Sequence, residues 1–177
     1  EKNYLILMKK ILFVPHPILR QKALDLKSIE KEDILIAEEM KEVMLNASGL
    51  GLAANQIGYL KKIITINIED KKNNFETNYI LFNPKILSYS KDKIKMEEGC
   101  LSIPQQYAEI ERSSEIEVEY INYKKKLIKR KVKGIEARVL QHEIDHLSGK
   151  LFIDYLSSLK RNILIKKVKK LVKNKEI

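Results

Sequence analysis

The stretch Ile135-Glu136-Ala137-Arg138-Val139-Leu140-Gln141-His142-Glu143-Ile144-Asp145-His146-Leu147, followed by Ser148-Gly149, decides how the rest of the chain is read. Its spacing predicts a helix over 135–147, with Gly149 as the stop. Leu140, Ile144 and Leu147 fall along one face; Ile135, Val139, His142 and His146 fall along another. A helix that is apolar on two sides belongs in the middle of its domain. Within it, His142-Glu143-Ile144-Asp145-His146 fits the pattern H-E-x-x-H. Histidines four apart project from one face, so both imidazoles can reach one metal ion, and the glutamate stands beside a water on that ion.

Such a site needs a third protein ligand. Two peptidase arrangements supply it from downstream, and both fail here. The position of a third histidine holds Phe152, and residues 160–175 offer only basic, apolar and amide side chains where a glutamate is required. The third ligand therefore comes from upstream, where the candidates are His16, scattered carboxylates and Cys100. His16 lies between Pro15 and Pro17 and reads as a turn residue. Cys100 follows Glu97-Glu98-Gly99, where glycine permits a close backbone approach, and it is the favoured third partner. A further segment, Gly49-Leu50-Gly51-Leu52-Ala53-Ala54-Asn55-Gln56, lacks the lysine and hydroxyl of a phosphate loop. By itself it reads as a loop that ends a helix.

Helical spacing of Ile36, Met40, Val43, Met44 and Ala47 predicts an earlier helix over 31–47, stopped by Gly49. A short strand is expected over 11–14. Ile64, Ile66 and Ile68 alternate with Thr65 and Asn67 as in a strand, and 79–82 reads as another strand ended by Asn83-Pro84. Ile116, Val118 and Tyr120 alternate with Glu115, Glu117 and Glu119. The turn Asn122-Tyr123-Lys124 then leads back into 127–132, predicting a hairpin with one wet face. Parallel βαβ alternation is not evident, so the expected class is α+β: one compact domain of antiparallel sheets around the central metal-binding helix, with a further helix at the C-terminus.

The chain has 177 residues, 34 basic and 24 acidic, for a formal charge of +10. This length suits one domain with a real core. We read 8–177 as that domain and 1–7 as a remnant preceding a start at Met8. The single cysteine rules out an intramolecular disulfide and points to a reducing compartment. No apolar run approaches the ~18 residues of a membrane span, and the stretch 4–8 is cut by Lys9 and Lys10, against a secretory signal. The charge is uneven. Residues 160–177 carry eight basic side chains and one acid, leaving +3 on everything else. Leu156, Leu159, Ile163, Val168, Leu171 and Val172 are spaced helically among those lysines, predicting a helix over about 157–174. Its lysine face fits either plain solvation or attraction to RNA phosphates.

Three segments in this order resemble the motifs of the peptide deformylase family: Gly49-Leu50-Gly51-Leu52-Ala53-Ala54-Asn55-Gln56, Glu98-Gly99-Cys100-Leu101-Ser102, and Gln141-His142-Glu143-Ile144-Asp145-His146-Leu147. The likeness runs from Met8, through Pro15-His16-Pro17-Ile18-Leu19-Arg20, to Phe152-Ile153-Asp154 and the closing helix. Asn55, and Ser158 where related chains often carry proline, are its departures. The resemblance implies removal of the formyl group from N-formylmethionyl nascent peptides, with release of formate. It implies Cys100, His142 and His146 as ligands of one divalent metal, Fe2+ as the native ion, and Zn2+, Ni2+ or Co2+ as substitutes. Glu143 would act as the proton-transferring group, and the Gln56 amide and Leu101 N–H would hold the oxyanion together with the metal. Leu50, Gly51 and Gly99 would pair with an extended substrate, and Ile135 and Val139, with Leu50 and Leu101, would line the methionine pocket. It further implies a monomer in a bacterial cytoplasm, an organelle or phage origin being the other sources, with no membrane partner and with ribosome contact through the basic helix. The competing readings are a zinc endopeptidase, and a basic ribosome-binding module with a structural metal.

Overall fold

A computed structural model describes residues 9–72 and 74–177, so the proposed remnant at 1–7 and the start at Met8 lie outside the described residues. The chain forms α1 (Lys31–Asn46), β1 (Gly51–Ala53), β2 (Ile63–Asp70), β3 (Phe75–Tyr89), β4 (Lys93–Cys100), β5 (Ile103–Ser113), β6 (Glu115–Ile121), β7 (Leu127–Lys133), α2 (Gly134–Leu147) and α3 (Ser158–Lys173). Strands β1, β2, β3, β6 and β7 make one antiparallel sheet in that order, and β4 and β5 make a separate hairpin. The expected α+β class, with antiparallel sheets around a central helix, is what the chain adopts.

Alternation along β2 explains how the sheet is covered on both faces. Ile64, Ile66 and Ile68 join Leu81, Val118 and Val132 against Ala137, Leu140 and Leu147 of α2. Ile63, on the opposite face, joins Ile80 and Phe82 against Ile36, Met40 and Met44 of α1. Each such side chain, once fully buried, contributes about 1.5–3 kcal/mol of transfer free energy. A third cluster of Val14, Leu19, Ile103, Ile110, Phe152 and Val168 ties the β4–β5 hairpin to the start of the chain and to α3. Helix α2 thus has the sheet on one side and the hairpin on the other, the central position its two apolar faces predicted. No helix among the described residues is long and apolar enough to cross a membrane.

Four local expectations are corrected. Residues 11–14 form no strand, because Leu12 N–H donates to Gln56 O and Val14 N–H to Ser102 O, two separate segments that cannot make a ladder. Helix α1 ends through Ser48, which takes the left-handed conformation at φ 53°, rather than through Gly49. The strand expected to stop at Asn83-Pro84 continues to Tyr89. Asn83 absorbs the irregularity at φ 49°, where the pairing with β6 shifts register, and its side chain bonds both the N–H and the C=O of Leu26. Finally, the glycine segment is more than a loop: Gly51–Ala53 pairs with β2. At the end of α2, Gly149 is at φ 73°, and any Cβ there would collide with the Arg20 carbonyl.

Candidate metal centre

His142 and His146 lie one turn apart on α2, and their Nε2 atoms are 3.2 Å apart. Cys100, the last residue of β4, places Sγ 3.3 Å from His146 Nε2. The three donor atoms all lie within 4.8 Å of one another. His16 is elsewhere: its Nδ1 accepts the Ile18 N–H and caps a short 3-10 turn, the turn role expected of it.

The protonation state of this cluster follows from its surroundings. Burial works against ionisation of Glu98, but hydrogen bonds from His142 and Arg112 outweigh it and hold the carboxyl at about 2. Glu98 is therefore a carboxylate, and His142 Nδ1, 3.0 Å from its Oε2, must be the N–H donor. This leaves Nε2 of His142 facing His146 and Cys100, where its lone pair becomes available once the proton it carries is displaced. Burial, followed by the charge of His142, pushes His146 well below the usual imidazole value and keeps it neutral. For His142 burial acts in the same direction, yet hydrogen bonds to Cys100 and Glu98 prevail and hold it well above that value. Two imidazole nitrogens and a sulfur converge within 4.8 Å, and a cation among them would take the place of the proton that His142 holds. The donor set fits a divalent transition metal.

Glu143 is 4% exposed, its Oε2 has no hydrogen-bond partner among the described residues, and burial pushes its carboxyl up to about 7. Gln56 is oriented by its neighbour: Oε1 accepts the Ala53 N–H at 2.8 Å, so the NH2 group points to Ser102 Oγ at 3.1 Å and Cys100 Sγ at 3.6 Å. Gln56, Cys100, His142 and Glu143 open onto a cavity of about 420 Å³ whose walls include Leu50, Gly51, Gly99, Leu101, Ile135 and Val139. The fold thus brings every residue singled out in the three motifs to one place. Leu50 O accepts the Asn67 N–H at 2.9 Å, and the Leu50 side chain is exposed. Leu101 lies with Ser102 in the turn between β4 and β5, outside their ladder.

The sequence reading missed what supports the site. Glu98 binds Arg112 through both carboxylate oxygens, at 2.6 and 3.0 Å, and Arg138 Nη1 at 2.6 Å. Arg138 further donates to the Ile94 and Ile110 carbonyls, so its guanidinium is committed to the hairpin. Arg112 reaches on to Asp145 at 2.9 Å. One signal was available. The chain has 29 lysines and only 5 arginines, and every arginine is paired with a carboxylate. A planar fork suits such pairing where a lysine does not.

Comparison with known proteins places this geometry in context. The polypeptide deformylase family profile matches residues 8–162. The peptide deformylase of Pelagibacter ubique is 44% identical over 170 residues, covering 96% of this chain and 98% of the relative. That of Phenylobacterium zucineum is 42% identical over 163 residues, covering 92% and 96%. The crystal structure of peptide deformylase from Ehrlichia chaffeensis, 35% identical, superposes with a TM-score of 0.92 and covers 96% of this chain and 99% of that one.

Proposed function

The chain belongs to the polypeptide deformylase family, and from that premise we propose how its residues divide the work of removing the formyl group from N-formylmethionyl polypeptides, with release of formate. The observation that carries this reading is the buried Glu143 carboxyl beside three convergent donors at the head of an apolar cavity. A divalent metal held by Cys100, His142 and His146 supplies Lewis acidity, polarising a carbonyl and easing deprotonation of water. Glu143, held near 7, takes a proton from the attacking water and returns one to the departing amine at neutral pH. The Gln56 NH2, fixed by Ala53, and the Leu101 N–H donate to the oxygen on which charge develops. Ile135 and Val139, with Leu50 and Leu101, receive the methionine side chain, while the backbones of Leu50, Gly51 and Gly99 pair with an extended substrate.

Fe2+ is the proposed native ion, with Zn2+, Ni2+ or Co2+ as substitutes, since a donor set of one thiolate and two imidazoles accepts all of them. The enzyme works as a monomer in a bacterial cytoplasm. Helix α3 docks through Val168 and leaves Lys166, Lys167, Lys169 and Lys170 exposed, which supports contact with ribosomal RNA phosphates. Because α3 completes a core cluster, charge reversal at those lysines tests this contact better than truncation, and loss of salt-sensitive ribosome pelleting is the expected result.

The decisive experiment measures formate released from formyl-Met-Ala-Ser against acetate from acetyl-Met-Ala-Ser by metal-loaded protein. Formate release alone is expected, and Glu143→Gln should retain metal while losing at least about 10²-fold in kcat. Wild-type turnover by that variant would remove Glu143 from its role.

A further inference from the structure

A second cavity, of about 470 Å³, lies between the β4–β5 hairpin and α3. Its walls include Lys95, Tyr107, Glu109, Leu156, Lys160 and Ile163. Tyr107 lines this cavity and the catalytic one alike. Along β4, alternation puts Lys95, Glu97 and Gly99 on one face. Gly99 and Glu97 border the catalytic cavity and Lys95 the second one, so a single strand face runs from one to the other. The Tyr107 ring stands over Gly99, 2.7 Å from where a Cβ would lie, and is itself 62% exposed. Ile163 is 44% exposed. Among the described residues neither Lys95 nor Lys160 forms an ion pair.

We propose that this second cavity is a distal subsite for the downstream residues of the same polypeptide substrate, selecting apolar and acidic side chains. The inference rests on the deformylase reading of the catalytic cavity. That cavity holds only the formylated end, and the substrate is a chain that must leave it. Between Gly99 and Lys95 an extended chain advances about 13 Å, or about four residues. The fourth residue onward therefore reaches the groove. There Leu156 and Ile163 offer apolar contact, Tyr107 a ring face, and the two lysines, set against the single carboxylate of Glu109, a net preference for carboxylate over ammonium.

The test compares kcat/KM for formyl-Met-Ala-Ser with that for formyl-Met-Ala-Ser-Gly-Leu-Glu-Leu and for the same heptapeptide carrying Lys in place of Glu. The acidic heptapeptide is expected to exceed the tripeptide by at least about threefold, with the advantage shrinking in high salt. The ratio of acidic to basic heptapeptide should fall below one in the double variant Lys95→Glu/Lys160→Glu. It should persist in Lys173→Glu, a charge change on the same helix away from the groove. Equal values for all three peptides, or an acidic preference that survives the double variant, would overturn the subsite while leaving the deformylase reading intact. A tripeptide that releases no formate would overturn that reading and the subsite with it. If the groove instead seats a second copy of the chain, the peptides will not differ and the wild type will sediment as a dimer that the double variant dissociates; this too overturns the proposal.

Discussion

Replacing Gly51 by alanine asks whether the Glu143 carboxyl must lie where β1 allows it to lie. A Cβ on Gly51 would sit 2.5 Å from Glu143 Oε1, 2.8 Å from Cγ and 2.9 Å from Cδ. Ordinary contact begins at 3.4 Å, so something must retreat by roughly 1 Å in a close-packed interior. The carboxyl end is the flexible partner and β1 is held by its pairing with β2, so the carboxyl moves. Gly51 is not among the glycines at positive φ, so alanine brings no backbone strain and narrows the unfolded ensemble by about 0.4–1 kcal/mol. Stability should then change by no more than about 1 kcal/mol. Catalysis should not be spared, since a misplacement of ~1 Å costs about 10²-fold. The assay is kcat/KM for formate release from formyl-Met-Ala-Ser, with metal content and melting temperature measured on the same preparations. A rate within about threefold of wild type, at equal metal content, would refute the reasoning. So would a fall in melting temperature beyond roughly 10 °C, which would mean that the strand moved instead.

Other expectations concern the ligands and their supports. Cys100→Ser should lower metal content and affinity, read by equilibrium dialysis, because a neutral hydroxyl replaces a thiolate. Glu98→Ala should destabilise the fold by about 3–5 kcal/mol in urea titrations, since it leaves Arg112 and Arg138 buried without their carboxylate. Asp154 supplies the pH dependence. Burial raises its pKa, but the hydrogen bond from Arg20, 2.5 Å away, outweighs this and leaves the carboxyl below its ordinary value of 3.8. With the folded value depressed, the stabilisation is present above that ordinary value and is lost as pH falls through the folded value. Asp154→Asn should therefore lower the melting temperature at pH 7 and have progressively less effect below about pH 4.

The centre of the molecule was legible because its signals are local. Helical spacing, H-E-x-x-H and the Asn122-Tyr123-Lys124 turn each sit within one short window, and the structure realises each one. Cys100 was reached by elimination of other donors and by the motif Glu98-Gly99-Cys100-Leu101-Ser102, but its strand was not recognised. Lys93–Cys100 is largely exposed and polar, and β5 carries Pro104 near its start, so neither shows the apolar alternation that announces a strand. Asn83-Pro84 read as a terminator because its other use, a left-handed residue bonded to Leu26 within a continuing strand, depends on a segment 57 positions away. The Glu98 network was hidden for the same reason, since its members lie 14 to 44 residues from Glu98.

The candidate ligands also divide unequally between two parts of the fold. Both histidines belong to α2, which is packed on the five-stranded sheet, whereas the sulfur belongs to the end of a hairpin with no ladder to that sheet. An ion held by all three donors would act as a clasp between two independently built parts. Without it, the hairpin is tied to the helix through the contacts of Glu98 with His142 and Arg138. Metal loading would accordingly add to the cohesion of the two parts, and the hairpin would be the part whose attachment weakens most when the ion is withdrawn.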